Sequence, residues 1–541
     1  MSTKKLKFLI LLVIFFVVLL LGLYSFGDIK YSSKGGLSYA EKKADAEYLM
    51  SFLEKTYPYF DEVKATTGQD LLKEKSKIIN SISKTSSDKE FYFQIKKVLR
   101  RFLYGQINLG TDSKSDSYLH LDKVLENQRK GYFDKLSVAK QKWAPIQRKY
   151  IDSLSKSFKY TCNIDAMYIN GNYYITMSQN PEVHLGDEVV GVNGMPVEEY
   201  LKTIPSDKMF TFYDYTRDKY VAHHLFCFEN HIPQNVIIKN SNDEEKKVPI
   251  ASYTSTEPVL EDGFKSVGTN STPARNNKDQ SNFLNIFAEN KIVALNFSQL
   301  SDDANNAEEL DKLFTVLDEN DYVVLDLRGN SKESLARDIL TFVLPMNSNC
   351  SNYNIMEKNE INDAFIEHYR ISNHPFTTEI TSPIPSIEKL YPLSKYYIIK
   401  NKTTDFSGVN IQKGRVFILY DNSVSSVINN EILKTAIDGN YCTVIANNKF
   451  TLMDYTDSSL AASVILPNSN LIVTAQNVKV VDSNGTFIEK AVVTPQMIIK
   501  EDTAKIIDKL KKGEGYKLEM PLEDRYTSKD EYYNEVLKLI K

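Results

Sequence analysis

Apolar positions follow a different spacing in each part of the chain, and each spacing predicts a different kind of element. From Tyr39 to about residue 155 they recur at helical intervals, as in Tyr48, Leu49, Phe52 and Leu53. Residues three and four apart share one face of a helix, so this part is predicted to be helical. Short apolar runs bounded by turn residues follow, and they predict a β-rich segment up to about residue 253.

Strand-like runs alternate with helical patterns from about residue 284 onward. Ile292–Phe297, Tyr322–Leu327 and Val416–Tyr420 are apolar runs of strand length, and the amphipathic run of residues 310–317 separates the first two. A strand, helix and strand in this order form a βαβ unit, which requires parallel strand pairing. The predicted fold class is therefore an α/β core behind a helical segment and a β-rich domain.

The N-terminus carries an uncharged apolar run from Phe8 to Phe26, preceded by Lys4, Lys5 and Lys7. This run is long enough to cross a bilayer core of roughly 30 Å, and the lysines place the N-terminus in the cytoplasm. A cleaved signal peptide is the alternative, although the residues after the run offer no good cleavage site. Under both interpretations the bulk of the chain lies outside the cytoplasm, at the cell membrane.

Composition excludes several classes of protein. The 541 residues carry a net charge of −4, which gives no reason to expect a nucleic-acid partner. Four cysteines do not form a disulfide framework in so long a chain; Cys162 and Cys227 could pair, or both could be buried thiols. His223, His224 and His231 lack partners at metal-ligand spacing, so no metal and no cofactor is predicted.

Two strand ends carry the candidate chemistry. The strand Tyr322–Leu327 runs into Asp326-Leu327-Arg328-Gly329-Asn330, and the strand Val416–Tyr420 runs into a serine-rich turn with Ser425 and Ser426. Binding groups gather at the carboxyl ends of strands in open α/β sheets. Together these segments resemble the carboxyl-terminal processing (tail-specific) serine protease family, which has Asp-x-Arg-x-Asn-x-Gly-Gly and a later turn bearing the nucleophile.

Further landmarks of that family occur in the same order along this chain. Leu185-Gly186-Asp187 and the later Asn193-Gly194 resemble a PDZ-like domain, although the same residues are also ordinary hairpin turns. Leu466-Pro467-Asn468-Ser469 matches the family's Leu-Pro-Asn-Ser turn. Ala491–Gln496 lies where the family has Gly-Val/Ile-x-Pro-Asp. The resemblance therefore covers most of the chain beyond the N-terminal run.

The resemblance implies roles for specific residues. Ser425 corresponds to the nucleophile, and the backbone amide of Ser426 contributes to an oxyanion hole, beside a cleft formed by Gly329 and Asn330. Lys449 follows Ser425 by 24 positions, close to the family's spacing for the general base. The Gly186-Asp187 turn of the PDZ-like domain would bind an extended peptide.

Several residues depart from the family pattern. Aligned by motif rather than by count, Leu452 occupies the place of the catalytic lysine, and Lys449 would point to the opposite face of the strand. Lys332 and Glu333 replace the paired glycines, and Ile428 replaces an acidic residue. Gln106 stands where a subgroup has histidine. The catalytic machinery is thus predicted to be partly lost.

The sequence supports two hypotheses about function. The first is a membrane-anchored serine peptidase that cleaves peptide bonds near protein C-termini, and the second is a non-catalytic peptide- or protein-binding pseudoprotease. The predicted organisation has six parts: a cytoplasmic tail (1–7), a transmembrane anchor (8–26), a helical domain (39–155), a PDZ-like domain (156–253), a linker or flexible loop (254–283) and a tail-specific protease-like core (284–541).

Overall fold

The structure of the chain is a computed structural model that describes most of the molecule beyond the N-terminal run. The described residues are 30–105, 107–110, 142, 145, 162–204, 211–226, 233–240, 242–250, 283–300, 313, 315–317, 319–328, 339–340, 343–344, 353–363, 366, 377–379, 384–401, 415–421, 436–437, 439–451, 461–487, 492–500, 502–513 and 522–541.

The first described segment is helical, as predicted, and ends in a strand. Its elements are α1 (Tyr39–Thr56), α2 (Phe60–Thr67), α3 (Lys75–Ser83), α4 (Asp88–Leu99) and β1 (Ile107–Gly110). A capping box starts α1, because the Ser38 side chain accepts from the Glu41 amide and the Glu41 carboxylate accepts from the Ser38 amide. Helix α4 begins after Ser87, which is its N-cap and whose hydroxyl accepts from the Glu90 amide.

Residues 162–250 form a β-rich module. Its elements are β2 (Ile164–Ile169), β3 (Asn172–Ser178), β4 (Glu188–Val192), β5 (Met195–Pro196), α5 (Val197–Leu201), β6 (Thr211–Asp214), β7 (Lys219–Ala222), β8 (Asn235–Lys239) and β9 (Glu245–Pro249). The main sheet has the order β2-β3-β4-β8-β9, and β6 pairs with β7 in a separate hairpin. Asn193 and Gly194 both have positive φ, of 52° and 78°, as a tight hairpin turn requires.

The remaining described elements belong to residues 284–541. They are β10 (Leu284–Phe287), β11 (Ile292–Asn296), a 3-10 turn (Phe297–Gln299), β12 (Tyr322–Asp326), β13 (Tyr353–Glu357), β14 (Thr377–Glu379), α6 (Pro385–Leu390), β15 (Tyr396–Asn401), β16 (Val416–Tyr420), β17 (Thr443–Ala446), β18 (Phe450–Thr451), β19 (Ala461–Ile465), β20 (Ile472–Gln476), β21 (Lys479–Val481), β22 (Val492–Val493), β23 (Met497–Ile498), α7 (Thr503–Lys511), a second 3-10 turn (Leu522–Asp524) and α8 (Glu531–Leu539).

The predicted α/β core is confirmed by a mostly parallel sheet. Its described strands have the order β10-β11-β12-β16-β17-β23. Strand β11 pairs in parallel with β12, β12 with β16, β16 with β17, and β17 with β23, whereas β10 is antiparallel. The predicted βαβ relation between β11 and β12 is therefore correct, and the bounds predicted for β16 agree with the structure.

The two faces of this sheet bury different elements. One, the crossover face, packs alternate strand residues against residues of the β11–β12, β12–β13 and β16–β17 connections, among them Leu313, Val316, Leu340, Val343 and Ala436. The other, the C-terminal face, packs Val324, Phe417, Leu419 and Ile445 against Tyr532, Tyr533 and Val536 of α8. Burial on both faces explains why these strands are apolar throughout instead of alternating.

A three-stranded sheet connects the N-terminal helical segment to residues 461–476. Its order is β1-β20-β19, and Ile107 lies opposite Ala475 in an antiparallel pair. Ala462, Leu466, Leu471 and Val473 belong to the same hydrophobic cluster as the helices α1–α4. The helical segment therefore shares its hydrophobic core with residues 461–475, which were predicted to belong to the C-terminal core.

A four-stranded antiparallel sheet with the order β14-β15-β13-β21 was not predicted. Strands β13, β14 and β15 lie between β12 and β16 in the chain, whereas β21 follows β20. Its central strand β13 pairs with β15 on one side and with β21 on the other. Helix α6 covers one face through Ile387, which packs against Tyr353, Ile355 and Ile398.

Candidate functional site

The two strand ends identified in the sequence lie side by side at the carboxyl edge of the parallel sheet. Asn296, at the end of β11, lies opposite Asp326 at the end of β12, and Asp326 lies opposite Leu419 of β16. The amide of Leu327 donates to the carbonyl of Leu419 at 3.0 Å. The chain segments that lead to Gly329 and to Ser425 therefore leave the sheet from neighbouring strands.

Asp326 and Arg328 of the family-like motif are buried and point to the C-terminal face. The Arg328 guanidinium donates to both Asp326 oxygens at 2.8 Å each and to both Asp530 oxygens at 2.9 and 2.8 Å. The Tyr532 ring lies 4.7 Å from the guanidinium carbon, in cation–π contact. Arg328 thus links the end of β12 to the start of α8.

Arg525 completes this cluster from the other side. Its Nη1 donates to Asn296 Oδ1 at 2.9 Å and lies 3.6 Å from Asp326 Oδ2. Two guanidinium groups therefore face the carboxylates of Asp326 and Asp530, and the cluster carries no net charge. We call Asn296, Asp326, Arg328, Arg525 and Asp530 the Arg328 cluster. All five side chains are buried, so the cluster holds the sheet and α8 together and offers no group for acid–base chemistry.

The Arg328 cluster makes the stability of the fold depend on pH. Burial alone would raise the pKa of Asp326, but the facing Arg328 guanidinium outweighs burial, and this pKa lies below its usual range. A carboxyl with a lowered folded-state pKa stabilises the fold above its unfolded pKa of about 3.9 and loses that contribution as the pH falls further. We expect the urea midpoint to decrease below about pH 4, and Asp326→Asn to lose this part of the decrease. A decrease of the same size in both proteins would contradict this role of Asp326.

The candidate base, Lys449, lies close to the point where β16 leaves the sheet. Its side chain is half-buried, and its backbone amide donates to the hydroxyl of Thr216 at 2.9 Å. The next residue, Phe450, stacks on Tyr420 at the end of β16, with 3.8 Å between ring centroids and 14° between ring planes. Lys449 is therefore adjacent to the strand end that leads to Ser425.

The other predicted members of the catalytic site lie outside the described residues. These are Gly329, Asn330, Ser425 and Ser426, together with Leu452 and Gln106. The roles assigned to them stay predictions, and so does the choice between Lys449 and Leu452 at the place of the family's lysine.

The predicted peptide-binding turn, Gly186-Asp187, makes its described contacts within the chain. The Asp187 carboxylate is buried and accepts from the His184 amide at 2.8 Å. Gly186 has a φ of +85°, and a Cβ atom there would lie 3.0 Å from Ile507 Cγ2 of α7. A peptide-binding role for this turn stays a prediction, and a peptide at Gly186 would meet α7 first.

The outer edge of β2, which is the first strand of the main sheet, is covered by residues 223–225. The Tyr168 amide donates to the His223 carbonyl at 3.1 Å, and the Leu225 amide donates to the Ala166 carbonyl at 2.9 Å. The His224 ring contacts the buried Asp165 carboxylate beside them. PDZ-like domains bind peptides by adding a strand to a sheet edge, so a peptide at β2 would have to displace residues 223–225.

Sequence reasoning missed Asp530, the central carboxylate of the Arg328 cluster. The sequence Ser528-Lys529-Asp530-Glu531 predicts a capping box with Ser528 as the cap. The structure instead begins α8 at Glu531 with Asp530 as the N-cap, accepting from the Tyr532 and Tyr533 amides. The Asp530 carboxylate thus caps α8 and binds Arg328 at the same time. A salt bridge between residues 202 positions apart produces no pattern in the sequence. The sequence does show an aspartate directly before the helix, which is a preferred N-cap residue.

The described part of the chain contains neither a membrane-spanning helix nor a cluster of metal-binding side chains. No helix there is both long and apolar enough to cross a bilayer, and the predicted anchor of residues 8–26 lies outside it. Within the same residues, no group of three or more His, Cys, Asp or Glu side chains could hold a metal ion.

Comparison with known proteins gives similarity at the level of structures only. No family model matches the chain, and no curated protein matches it. Mature CPAF complexed with lactacystin is similar at 12% identity over 93% of this chain and 99% of that one, with a TM-score of 0.39. The photosystem II D1 C-terminal processing protease follows with 9% identity over 88% and 99%, at 0.33.

A putative S41 protease from Bacteroides fragilis is similar at 13% identity over 70% of this chain and 82% of its own, with a TM-score of 0.27. Overlays with TM-scores below 0.5 do not by themselves establish a shared fold or a shared activity. The resemblance to tail-specific proteases therefore continues to depend on the motifs and on the α/β core that carries two of them.

Proposed function

We propose that this chain is a serine-type peptidase of the tail-specific kind, held at the outer side of the cell membrane by its N-terminal segment. The observation that carries the proposal is the Tyr420–Phe450 stack, which brings the strand after Lys449 to the strand end before Ser425. A nucleophile and its base must come within about 2.6–3.2 Å in the reacting complex. The stack supports such an approach because Lys449 directly precedes Phe450 in the chain and the serine turn follows Tyr420.

In the proposed reaction, the Ser425 hydroxyl attacks the carbonyl carbon of the scissile peptide bond. Its proton passes to the neutral amine of Lys449, and the tetrahedral oxyanion accepts a hydrogen bond from the Ser426 amide. When the C–N bond breaks, the Lys449 ammonium returns the proton to the leaving amine. Water then hydrolyses the acyl-enzyme and regenerates Ser425. Gly329 and Asn330 would line the cleft that holds an extended protein segment.

The second candidate function, a non-catalytic binding protein, is favoured by the departures from the family motif. Lys332 and Glu333 stand in the places of two glycines, and Leu452 stands in the lysine place of the motif alignment. Glycine admits backbone conformations that lysine and glutamate adopt with strain. Binding of extended peptides without turnover would follow if the oxyanion loop had lost its shape.

A nucleophile substitution separates the two functions. We expect Ser425→Ala to reduce cleavage of fluorescein-labelled casein, an unfolded protein, by about a thousandfold or more while the chain remains folded. Cleavage by the full-length protein in detergent would be followed by the release of labelled peptides. Circular dichroism of both proteins would verify folding.

Ser423→Ala is the matched control, because it removes a hydroxyl from the same turn at a position with no proposed role. Equal cleavage by wild-type protein and Ser425→Ala would exclude Ser425 as the nucleophile. Absence of cleavage in the wild type, together with casein binding that persists in Ser425→Ala, would establish the binding function instead.

A further inference from the structure

The β6–β7 hairpin of the β-rich module has a tightly fixed tip. Asp214 is buried, and its Oδ1 accepts from the amides of Thr216 and Arg217 at 3.0 and 3.1 Å. Its Oδ2 accepts from the Arg217 guanidinium at 2.9 Å. A carboxylate that binds the backbone two residues ahead fixes a local turn. The position of Thr216 is therefore set by Asp214.

The hairpin is also anchored to the main sheet of the module. The Tyr168 hydroxyl on β2 donates to Asp214 Oδ2 at 2.5 Å, and Lys219 Nζ donates to the Gly171 carbonyl at 3.0 Å. A Cβ atom at Gly171 would lie only 2.5 Å from Arg217 Nε, so glycine allows the arginine to pack closely. The hairpin tip is thus rigidly connected to the β2–β3 turn.

Thr216 projects from this tip onto the parallel-sheet core. Its hydroxyl accepts from the backbone amide of Lys449 at 2.9 Å. On the other side of Lys449, Phe450 is buried and stacked on Tyr420. The backbone of Lys449 is therefore held between two contacts, one from the β6–β7 hairpin and one from the end of β16.

We propose that Thr216, fixed by Asp214, is a positioning residue that sets the backbone of Lys449 at the carboxyl edge of the parallel sheet. The inference rests on the proposed function, in which Lys449 is the general base. A lysine amine must lie within about 2.6–3.2 Å of the hydroxyl that it deprotonates, and a small displacement of its backbone moves the amine out of this range. The β-rich module then contributes to the reaction without contacting the substrate.

The test measures the reactivity of Lys449 directly and cleavage separately. Full-length wild type, Thr216→Val and Thr216→Ser would be treated with acetic anhydride between pH 6 and 11, and acetylation of Lys449 followed by mass spectrometry. Valine keeps the shape of threonine but removes the acceptor, whereas serine retains it. Thr203→Val is the control, since the Thr203 hydroxyl donates to the Tyr200 carbonyl elsewhere in the module.

We expect Thr216→Val to accelerate Lys449 acetylation about fivefold, because the backbone of Lys449 loses one of the two contacts that hold it. A fivefold change in rate corresponds to the free energy of about one hydrogen bond. Casein cleavage is expected to fall about tenfold, because slight misplacement of a catalytic group is costly. Thr216→Ser and Thr203→Val should retain the wild-type acetylation profile. A purely structural role would alter the unfolding midpoint without changing the pH profile of this one lysine in the folded protein.

An unchanged Lys449 profile in folded Thr216→Val overturns the positioning role, whether or not the wild type cleaves casein. A changed profile in a protein that never cleaves casein supports the positioning of Lys449 and rejects the peptidase function. The two proposals therefore fail by different measurements.

Discussion

Asp530→Ala is expected to lower the free energy of unfolding by about 3–5 kcal/mol, the largest effect on stability that we predict for a single substitution. The substitution leaves the buried Arg328 guanidinium facing Asp326 alone and removes the N-cap of α8. A buried charge that loses one of its two partners retains most of its desolvation cost. Urea unfolding followed by circular dichroism would measure the change.

Asp530→Asn separates the contribution of the charge from that of the N-cap, because it keeps a capping side chain and removes only the charge. We expect it to be destabilised less than Asp530→Ala. The control is Asp508→Ala, which removes an exposed ion pair with Lys512 and should cost less than about 0.5 kcal/mol. If Asp530→Ala were as stable as Asp508→Ala, the Arg328 cluster would not hold the C-terminal helix to the sheet.

The second large effect is expected for Asp45→Ala, at about 2–4 kcal/mol. Asp45 on α1 is buried, and its carboxylate accepts from the amides of Asn468 and Ser469 at 2.8 Å each and from Asn468 Nδ2 at 3.0 Å. Removing the carboxylate leaves these donors without their acceptor in a partly buried turn. Hydrogen exchange should then accelerate most in β19 and β20.

Glu47→Ala on the same helix is the matched control, because Glu47 is exposed and pairs only loosely with Lys43 at 3.8 Å. The Asp45 contacts also give a physical reason for Leu466-Pro467-Asn468-Ser469, the turn matched to the family. An exchange pattern unaltered in Asp45→Ala would mean that the turn is held by its own hydrogen bonds, such as that from the Leu471 amide to the Ser469 hydroxyl.

The α/β core was predictable because its strands are buried on both faces. Such strands form continuous apolar runs with sharp polar ends, and the predicted bounds of β16 agree with the structure. The parallel direction followed from the helical pattern between β11 and β12. These features are local in sequence, so local reasoning was sufficient.

Features that depend on distant partners were not predictable. The antiparallel sheet of β13, β14, β15 and β21 pairs Tyr353 of β13 with Val481 of β21, more than 100 positions further along the chain. Strand β1 lies in the segment that was predicted to be helical. The partner of Arg328, Asp530, lies 202 positions further along the chain. No periodicity connects residues at such separations, since only the folded backbone brings them together.

The candidate site was predicted only in part. The carboxyl edge of β12 and β16 was identified correctly as the place where the two motifs leave the sheet. The sequence identified Lys449 by its separation from Ser425 along the chain. It did not identify Thr216, which contacts Lys449 across 233 positions. An alternating strand pattern places a side chain on a face and says nothing about which loop lies above it.

The pairing of β1 with β20 has a consequence for the synthesis of this protein. Ile107 leaves the ribosome hundreds of residues before its partner Ala475. Until then, the apolar faces of the first four helices have no strand to cover them, and exposed apolar surface promotes association with other chains. The helical layer is therefore complete only when nearly the whole chain has been made.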